Sequence, residues 1–364
     1  MGWTLKEQDG ILLPLSVAEK GLRLLRELEL LDNTRQFLRT DRAIHVPLLR
    51  ELTENEDRLM KVQVGDFRRQ RGFFGEIQRK PRRLDEYLRG KIPDELISRL
   101  PRSFDSIGDI AVIELPESME KFSAVIGRGI IVTNPHIRLT LRISSQVEGP
   151  FRTRKFEVMA GVGGTETFYR EFSCRYHLDV SMVYFSPRLS RERMRIAQQV
   201  MPDELVVDMF AGVGPYSILI AKLQPKSTVY SVDINPAAVK YLRENALANG
   251  VADRLIPMHD DVKELAGRDL RGLANRVIMN LPSEAVNYLP AASQILKDEG
   301  GMVHFYAFAQ RKESIDSVLS SFRLTMEGQN RRIKSVPFCK VIKEVAPNRV
   351  QVAIDALLGA RAPR

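Results

Sequence analysis

Hydrophobic and polar positions change their rhythm twice along the chain. Near the start, VAEKGLRLLRELELL sets Ala18, Leu22, Leu25 and Leu28 at spacings of three and four, which predicts a helix with one apolar face. A strand-like AIHVPLL follows, and the two read as a small module over residues 1–62. The polar stretch VGDFRRQRGFFGEIQRKPRR shows no clear period and suits a linker over 63–84. A second module, 85–183, opens with a helical DEYLRGKIPDELISRL and a buried-strand candidate, IGDIAVIELP. A helix near 117–127 and strands at IIVTN, IRLTLRI, KFEVMAG and TETFYREF complete an α+β reading.

From about residue 185 the pattern alternates. LVVDMF, VYSVDI, LIPMHD, RVIMNL and GMVHFYAF are short apolar runs separated by helical stretches. That alternation marks βαβ units and a parallel sheet covered on both faces by helices. The expected fold is α/β, with a Rossmann-like domain over 184–364 behind an α+β middle domain and a small N-terminal α/β module.

The chain has 364 residues, 44% of them hydrophobic, enough for two or three domains with buried cores. No run approaches the roughly 20 apolar residues that cross a bilayer. MGWTLKEQDG lacks the basic start and apolar run of a signal peptide. Cys174 and Cys339 stand far apart, so neither a disulfide framework nor a metal site is expected. The expectation is a cytoplasmic protein with no membrane partner. The net charge is +9, and between Lys61 and Arg102 twelve Lys/Arg face six acids. Such a stretch is either a solvated basic linker or a phosphate-facing surface.

The first strand of the alternating region runs into VVDMFAGVGPYSI, where Gly212 and Gly214 let the backbone approach a ligand at a strand-to-helix turn. Ser217 stands where the third glycine of a dinucleotide fingerprint would be, which argues against a bound pyrophosphate. Asp208, just before the turn, would repel phosphate but suit the cationic amino-acid end of S-adenosylmethionine. Asp233 ends the second strand, where a carboxylate accepts ribose hydroxyls. Asp261 follows the third, within reach of an adenine amino group. Each Asp alone could be a mere helix cap; three at successive strand ends favour a cofactor site. The fourth strand ends in Asn280-Leu281-Pro282, offering an amide and a rigid carbonyl to a planar base edge.

The segments YFSPRLSRERMRI (184–196), VVDMFAGVGPYSI (206–218), VDINPAAV (232–239) and VIMNLP (277–282) closely resemble the archaeal and eukaryotic tRNA (guanine-37-N1)-methyltransferase family, a class I, Rossmann-fold group. The match extends upstream through FDSIGDIAVIELP (104–116) and EGPFRTRKFEVMAG (148–161), and weakly into the N-terminal module. The resemblance implies S-adenosylmethionine as cofactor and tRNA as partner. It also implies an N-terminal domain on the outer corner of the tRNA, a middle domain near the anticodon and a monomer that suffices for one tRNA.

The resemblance implies Glu192 as the base for guanine N1 and Arg152 as the donor to O6. Asn280 and Pro282 would shape the guanine pocket, and Tyr184 and Arg188 would place the flipped nucleotide and its phosphates. Arg193, Asp233, Ile234, Asp261, Val262 and Asn280 match cofactor contacts. Blander readings stand beside these. Glu192 could simply favour the dipole of a helix capped by Ser190, weakened as a base by Arg191 and Arg193. Glu171 is the runner-up base, on a strand that suits surface pairing with Arg170 or Arg175. Arg152 and Arg154 alternate along a strand, so only one should face the pocket. Tyr216 and Phe172-Ser173 depart from the family's usual Phe and Asn-Gly. The alternatives are a wyosine-pathway transferase moving the aminocarboxypropyl group, and a non-catalytic tRNA-binding protein.

Overall fold

The computed structural model describes residues 5–76, 81–101, 103–145, 149, 151–311, 315–346 and 348–362. Arg79, Lys80 and Arg102 of the basic stretch, and Glu148 and Pro150 of EGPFRTR, lie outside the described residues. The chain forms two compact units, Met1–Lys80 and Pro81–Arg364.

In the first unit, strands Leu38–Arg39, Ala43–Pro47, Gly10–Pro14 and Arg68–Arg69 form an antiparallel sheet in that order. Helix Ala18–Glu27 packs Leu24 and Leu25 into a core with Ile11, Leu13, Val46 and Met60. It is shorter than its apolar pattern because the chain turns at Glu29, which has φ 54°. The segment read as a linker is not one: Arg68–Arg69 joins the sheet and Gly72–Gly75 pairs with Leu5–Gln8. A second helix, Glu54–Gln63, has too few apolar residues to show a stripe. Its signal is the capping box in which Thr53 and Glu56 exchange side-chain-to-backbone hydrogen bonds.

In the second unit, strands Phe156–Gly161, Leu139–Ile143, Ile110–Ile113 and Asp105–Ile107 form a sheet in that order. IGDIAVIELP is a hairpin rather than one strand, because Gly108 (φ 58°) turns it. DEYLRGKIPDELISRL splits into Leu84–Leu88 and Asp94–Ile97 on either side of Gly90 and Pro93. IIVTN, expected as a strand, ends the helix Ser123–Thr133. An apolar run of five cannot distinguish the two states. Here Gly127 decides, since a Cβ there would lie 2.6 Å from both Met159 Cβ and Thr140 Oγ1 and would bar the helix from the sheet.

The alternating region forms the seven-stranded sheet that positions the site. Its strands are β1 (Leu205–Asp208), β2 (Thr228–Asp233), β3 (Leu255–His259), β4 (Arg276–Met279), β5 (Gly301–Gln310), β6 (Arg331–Ala346) and β7 (Arg349–Arg361). They lie in the order β3-β2-β1-β4-β5-β7-β6. The first five are parallel; β7 runs antiparallel to β5 and β6 antiparallel to β7. Helices α1 (Ser190–Ala197), α2 (Pro215–Leu223), α3 (Pro236–Ala248), α4 (Val262–Gly267), α5 (Leu289–Ile295) and α6 (Ile315–Gly328) complete it. Two buried cores flank the sheet, one of them shared with the middle-segment sheet through Ile110, Leu139 and Leu141. The β6–β7 hairpin was not foreseen. Strand order reverses at β1, so a crevice opens at the carboxyl ends of β1 and β4, where such sheets bind ligands. Among the described residues no helix is long and apolar enough to cross a membrane.

The hairpin Glu166–Glu171/Cys174–Asp179 leaves a strand edge facing α3, and two asparagines cover it. Asn245 Oδ1 accepts from His177 N at 2.6 Å and its Nδ2 donates to His177 O at 3.0 Å. Asn249, one helical turn on, does the same for Arg175 at 2.9 and 2.7 Å. Asn245 also donates to Val213 O, inside the glycine turn. Asn245→Ala strips partners from a part-buried N–H and two carbonyls. It is expected to lower unfolding free energy by about 1–3 kcal/mol, seen as a reduced urea midpoint; an unchanged midpoint would refute the edge-covering role.

Candidate active site

The turn after β1 is held by the end of β2. Gly212 N donates to Asp233 Oδ2 at 2.7 Å, and Asn235 N donates to Asp233 Oδ1 at 2.9 Å. Gly212 has φ 54°, and a Cβ there would meet only the Tyr184 carbonyl oxygen, at 3.9 Å, so the turn faces open space. Gly214 (φ 93°) serves packing instead: a Cβ would lie 2.5 Å from Leu242 Cδ1. Asn235 caps α3 through Ala237 N at 3.0 Å and donates to Met182 O at 2.8 Å. That bond draws the segment bearing Tyr184 over the turn.

Burial raises the Asp233 carboxyl, while the two backbone donors and His259 pull it down. Ile234 beside it is 43% exposed. Asp261 accepts from Lys263 N at 2.9 Å as the cap of α4, and the Val262 side chain is buried in the core. Asp208 does not lie open at the turn as its position suggested. It is fully buried, with Oδ2 accepting from Ser217 Oγ at 2.8 Å and Oδ1 buried without a partner.

At the end of β4 the Asn280 Oδ1 is also buried and unpartnered. Pro282 O accepts from Phe308 N on β5 at 3.0 Å, which fixes the corner. Arg152, with φ 56°, donates to Ser283 Oγ at that same corner. Burial lowers its guanidinium's pKa, offset by Tyr184 and Glu284 and reinforced by Arg349. Arg152, Arg154, Tyr184, Ser186, Arg188 and Lys343 line a cavity of about 860 Å³. Both arginines face it, against the alternation expected of a strand, because the strand begins only at Phe156. Arg188 pairs with Asp105 at 2.5 Å.

Glu192 lies in the first turn of α1 and is 8% exposed. Ser190 does not cap that helix; Leu189 holds the cap position with no side-chain bond. Glu192 Oε1 accepts from Arg195 Nη2 at 2.6 Å and Tyr306 OH at 2.7 Å, and Oε2 accepts from Arg195 Nε at 2.9 Å. Tyr306 follows Phe305, the β5 partner of Met279, the last residue of β4. Arg191 is exposed, and Arg193 is committed elsewhere. Arg193 Nε and Nη2 fork Glu171 at 2.7 and 2.5 Å, and Nη1 donates to Ser186 O at 3.1 Å. Glu171 is therefore no surface partner of Arg170 or Arg175, and the buried Arg193 orients α1.

The comparisons with known proteins bear on this geometry. The TRM5/TYW2 methyltransferase domain model matches residues 167–334, and the TYW2 N-terminal domain model matches 84–165. A tRNA (guanine(37)-N(1))-methyltransferase Trm5b from Pyrococcus abyssi is 36% identical, covering 94% of this chain and 96% of its own length. The chain belongs to the Trm5 family. Among solved structures, the complex of aTrm5 and tRNALeu is similar to this Trm5-family chain with a TM-score of 0.74 and 29% identity, covering 96% of this chain and 99% of that one. A tRNA(Phe) (4-demethylwyosine(37)-C(7)) aminocarboxypropyltransferase from Pyrococcus horikoshii is 30% identical over 76% of this chain and 96% of its own.

The cofactor of this Trm5-family site is S-adenosylmethionine, and the residues present fit it. A glycine turn open to ligand, the strand-end carboxylates Asp233 and Asp261, and the orphaned Asn280 Oδ1 supply acceptors without a cradle for phosphate. Sequence reasoning missed Tyr306, Arg195, Asp355 and Ser283. The available signal was polar residues inside apolar runs, His304 and Tyr306 in GMVHFYAF and Asp355 in VQVAIDALL.

Asp208 gives a pH test. Burial pushes its carboxyl up to about 7, with Ser217 and the Phe210 backbone opposing and Asp233 adding repulsion. The folded state thus holds the proton more tightly than the unfolded chain, and the stability due to Asp208 falls as pH rises from about 4 to about 7. Asp208→Asn removes that titration. Its urea midpoint relative to the unchanged protein is expected to climb across this window; a constant difference would show that Asp208 does not titrate there.

Proposed function

We propose that this chain transfers a methyl group from S-adenosylmethionine to N1 of guanine 37 in tRNA. The observation that carries the reading is Arg152, beside Tyr184, donating to Ser283 Oγ at the corner where Asn280 Oδ1 lies buried without a partner. The target nucleotide leaves the anticodon loop, which costs less than leaving a duplex. It enters beside the cavity that Arg154, Arg188 and Lys343 make basic. The N-terminal unit contacts the outer corner of the tRNA, the middle segment the anticodon region, and one chain serves one tRNA in the cytoplasm.

Guanine N1 carries a proton at neutral pH and cannot attack until it leaves. Glu192 takes that proton. Arg152 steadies the charge gathering on O6, and a half-buried guanidinium does so more strongly than one in water. Asn280 uses its free Oδ1 on a donor of the base or of the cofactor. S-adenosylmethionine supplies an electrophilic methyl on a sulfonium sulfur, which keeps the C–S electron pair when N1 takes the carbon. The freed N1 lone pair forms the new bond, so no covalent bond to the enzyme is needed.

The aminocarboxypropyl alternative has one observation in its favour, the TYW2 N-terminal domain match at 84–165. Against it, the transferase relative covers 76% of this chain, whereas the Trm5b relative covers 94%. Mass analysis of the modified nucleoside decides between a methyl and the larger group. Glu192→Gln is expected to slow methyl transfer to unmodified tRNA by about 100-fold or more, with cofactor affinity by calorimetry nearly unchanged. Turnover at the wild-type rate would defeat the base assignment.

A further inference from the structure

One chain of hydrogen bonds, buried at its centre and part-buried at Glu204 and Arg195, runs across the strands of the methyltransferase sheet and ends on Glu192. Glu204 forks Arg276 at 2.7 and 3.0 Å. Arg276 Nη1 donates to His304 Nε2 at 2.7 Å, and His304 Nδ1 donates to Asp355 Oδ1 at 2.7 Å. Asp355 accepts from Arg195 through both oxygens and from Gln199 Nε2 at 3.1 Å. Arg195 in turn forks Glu192, which Tyr306 closes from β5. Arginine can only donate, so His304 Nε2 must accept and the ring proton sits on Nδ1. Burial, with Arg276 and Arg195, lowers the imidazole's pKa against the pull of Asp355, which keeps it neutral.

The charges do not balance. Glu204, Asp355 and Glu192 are three carboxylates against the two guanidiniums Arg276 and Arg195. The network carries one negative charge in excess. The other groups around Glu192 do not cancel it. Arg193 on α1 is neutralised by Glu171, Tyr216 on α2 and Tyr306 on β5 are phenols, and Asp208 beyond Tyr216 is an acid. From β6, the Phe338 ring stacks on the Arg195 guanidinium at 3.8 Å.

We propose that Asp355 is a positioning residue for methyl transfer: by sharing Arg195 it leaves the excess charge on Glu192, and uptake of the substrate proton by Glu192 cancels that charge. This rests on the reading of Glu192 as the base. An arginine devoted to Glu192 alone would form a neutral pair with it and weaken it. His304 and Gln199 hold Asp355 on its far side, so Arg195 stays divided between two acids. Tyr306 acts with the opposite sign, because a phenol donating to a carboxylate stabilises the charged form.

The test is the pH dependence of single-turnover methyl transfer, with the full chain, tRNA transcript and labelled S-adenosylmethionine at saturation, which reports the base within the complex. Asp355→Asn is expected to slow transfer by about tenfold or more, with tRNA and cofactor affinities within about threefold, and to move the acid limb to lower pH. Tyr306→Phe should move the limb to higher pH. If Asp355→Asn does not fold, it is added to Arg195→Gln, which removes a charge of each sign; relative to Arg195→Gln alone the limb should again move down. A limb that Asp355→Asn leaves in place in either background overturns the proposal. If Glu192→Gln is inactive while the limb stays fixed, only the role of Asp355 fails; if Glu192→Gln turns over normally, the base reading fails first.

Discussion

The geometry of the site hangs on the burial of charged side chains along one short helix. The eight residues Ser190–Ala197 are too few to form a stable helix alone, since isolated helices below roughly 12–15 residues are marginal in water. α1 is held to its surroundings by two ion pairs on different faces, Arg193 with Glu171 and Arg195 with Asp355, and Arg195 also pairs with Glu192 within the helix. The first ties it to the middle-segment hairpin, and the second ties it to β7. Rotation of α1 would leave a guanidinium buried without its carboxylate, which costs several kcal/mol. Glu192 is thereby held toward Arg195 and Tyr306.

The rest of the site is assembled from both sides of this helix. β1 sits where the strand order reverses, and the crevice there is walled by the glycine turn and the Asn280–Ser283 corner. Arg152 and Tyr184 come from segments that precede the sheet, so they must be carried to the crevice by packing. The paired amides of Asn245 and Asn249 do this on one side and the Asn235–Met182 bond on the other. The same α3 that packs against the glycine turn thereby also fixes the segment bearing Tyr184.

Much of this was legible in the sequence, for a physical reason. The central parallel strands were visible because strands buried on both faces, such as Arg276–Met279, read as unbroken apolar runs. The turn glycines and the acids at strand ends were visible because backbone conformation and ligand chemistry restrict residue choice there. Elements ruled by tertiary contact were not. IIVTN is helical because Gly127 lets its helix approach the sheet, and the charged helix Glu54–Gln63 has no stripe to betray it. The partners of Glu192 were hidden for a related reason. Its neighbours in sequence, Arg191 and Arg193, are respectively exposed and paired with Glu171, and the residues that touch it arrive from positions 195 and 306. Asp208 shows the converse, a residue whose position promised a ligand contact but whose carboxyl is turned into α2.

The charge cluster behind Glu192 is a poor device for stability. Replacing a buried ion network by apolar groups of similar volume is often neutral or stabilising by about 1–4 kcal/mol, because desolvation of the ions consumes their attraction. β7 is otherwise apolar at this level, with Ile354 and Ala356 flanking Asp355. A leucine-like residue at 355 would suit that strand, yet it would leave His304 Nδ1 and Gln199 Nε2 each without this acceptor and give Arg195 to Glu192 alone. The cluster makes sense only as a unit whose end must carry charge. An isolated buried carboxylate would take up a proton and become useless as a base, whereas one fully matched by arginine would be too weak to accept a proton from guanine N1. Sharing one guanidinium between two acids lies between these limits.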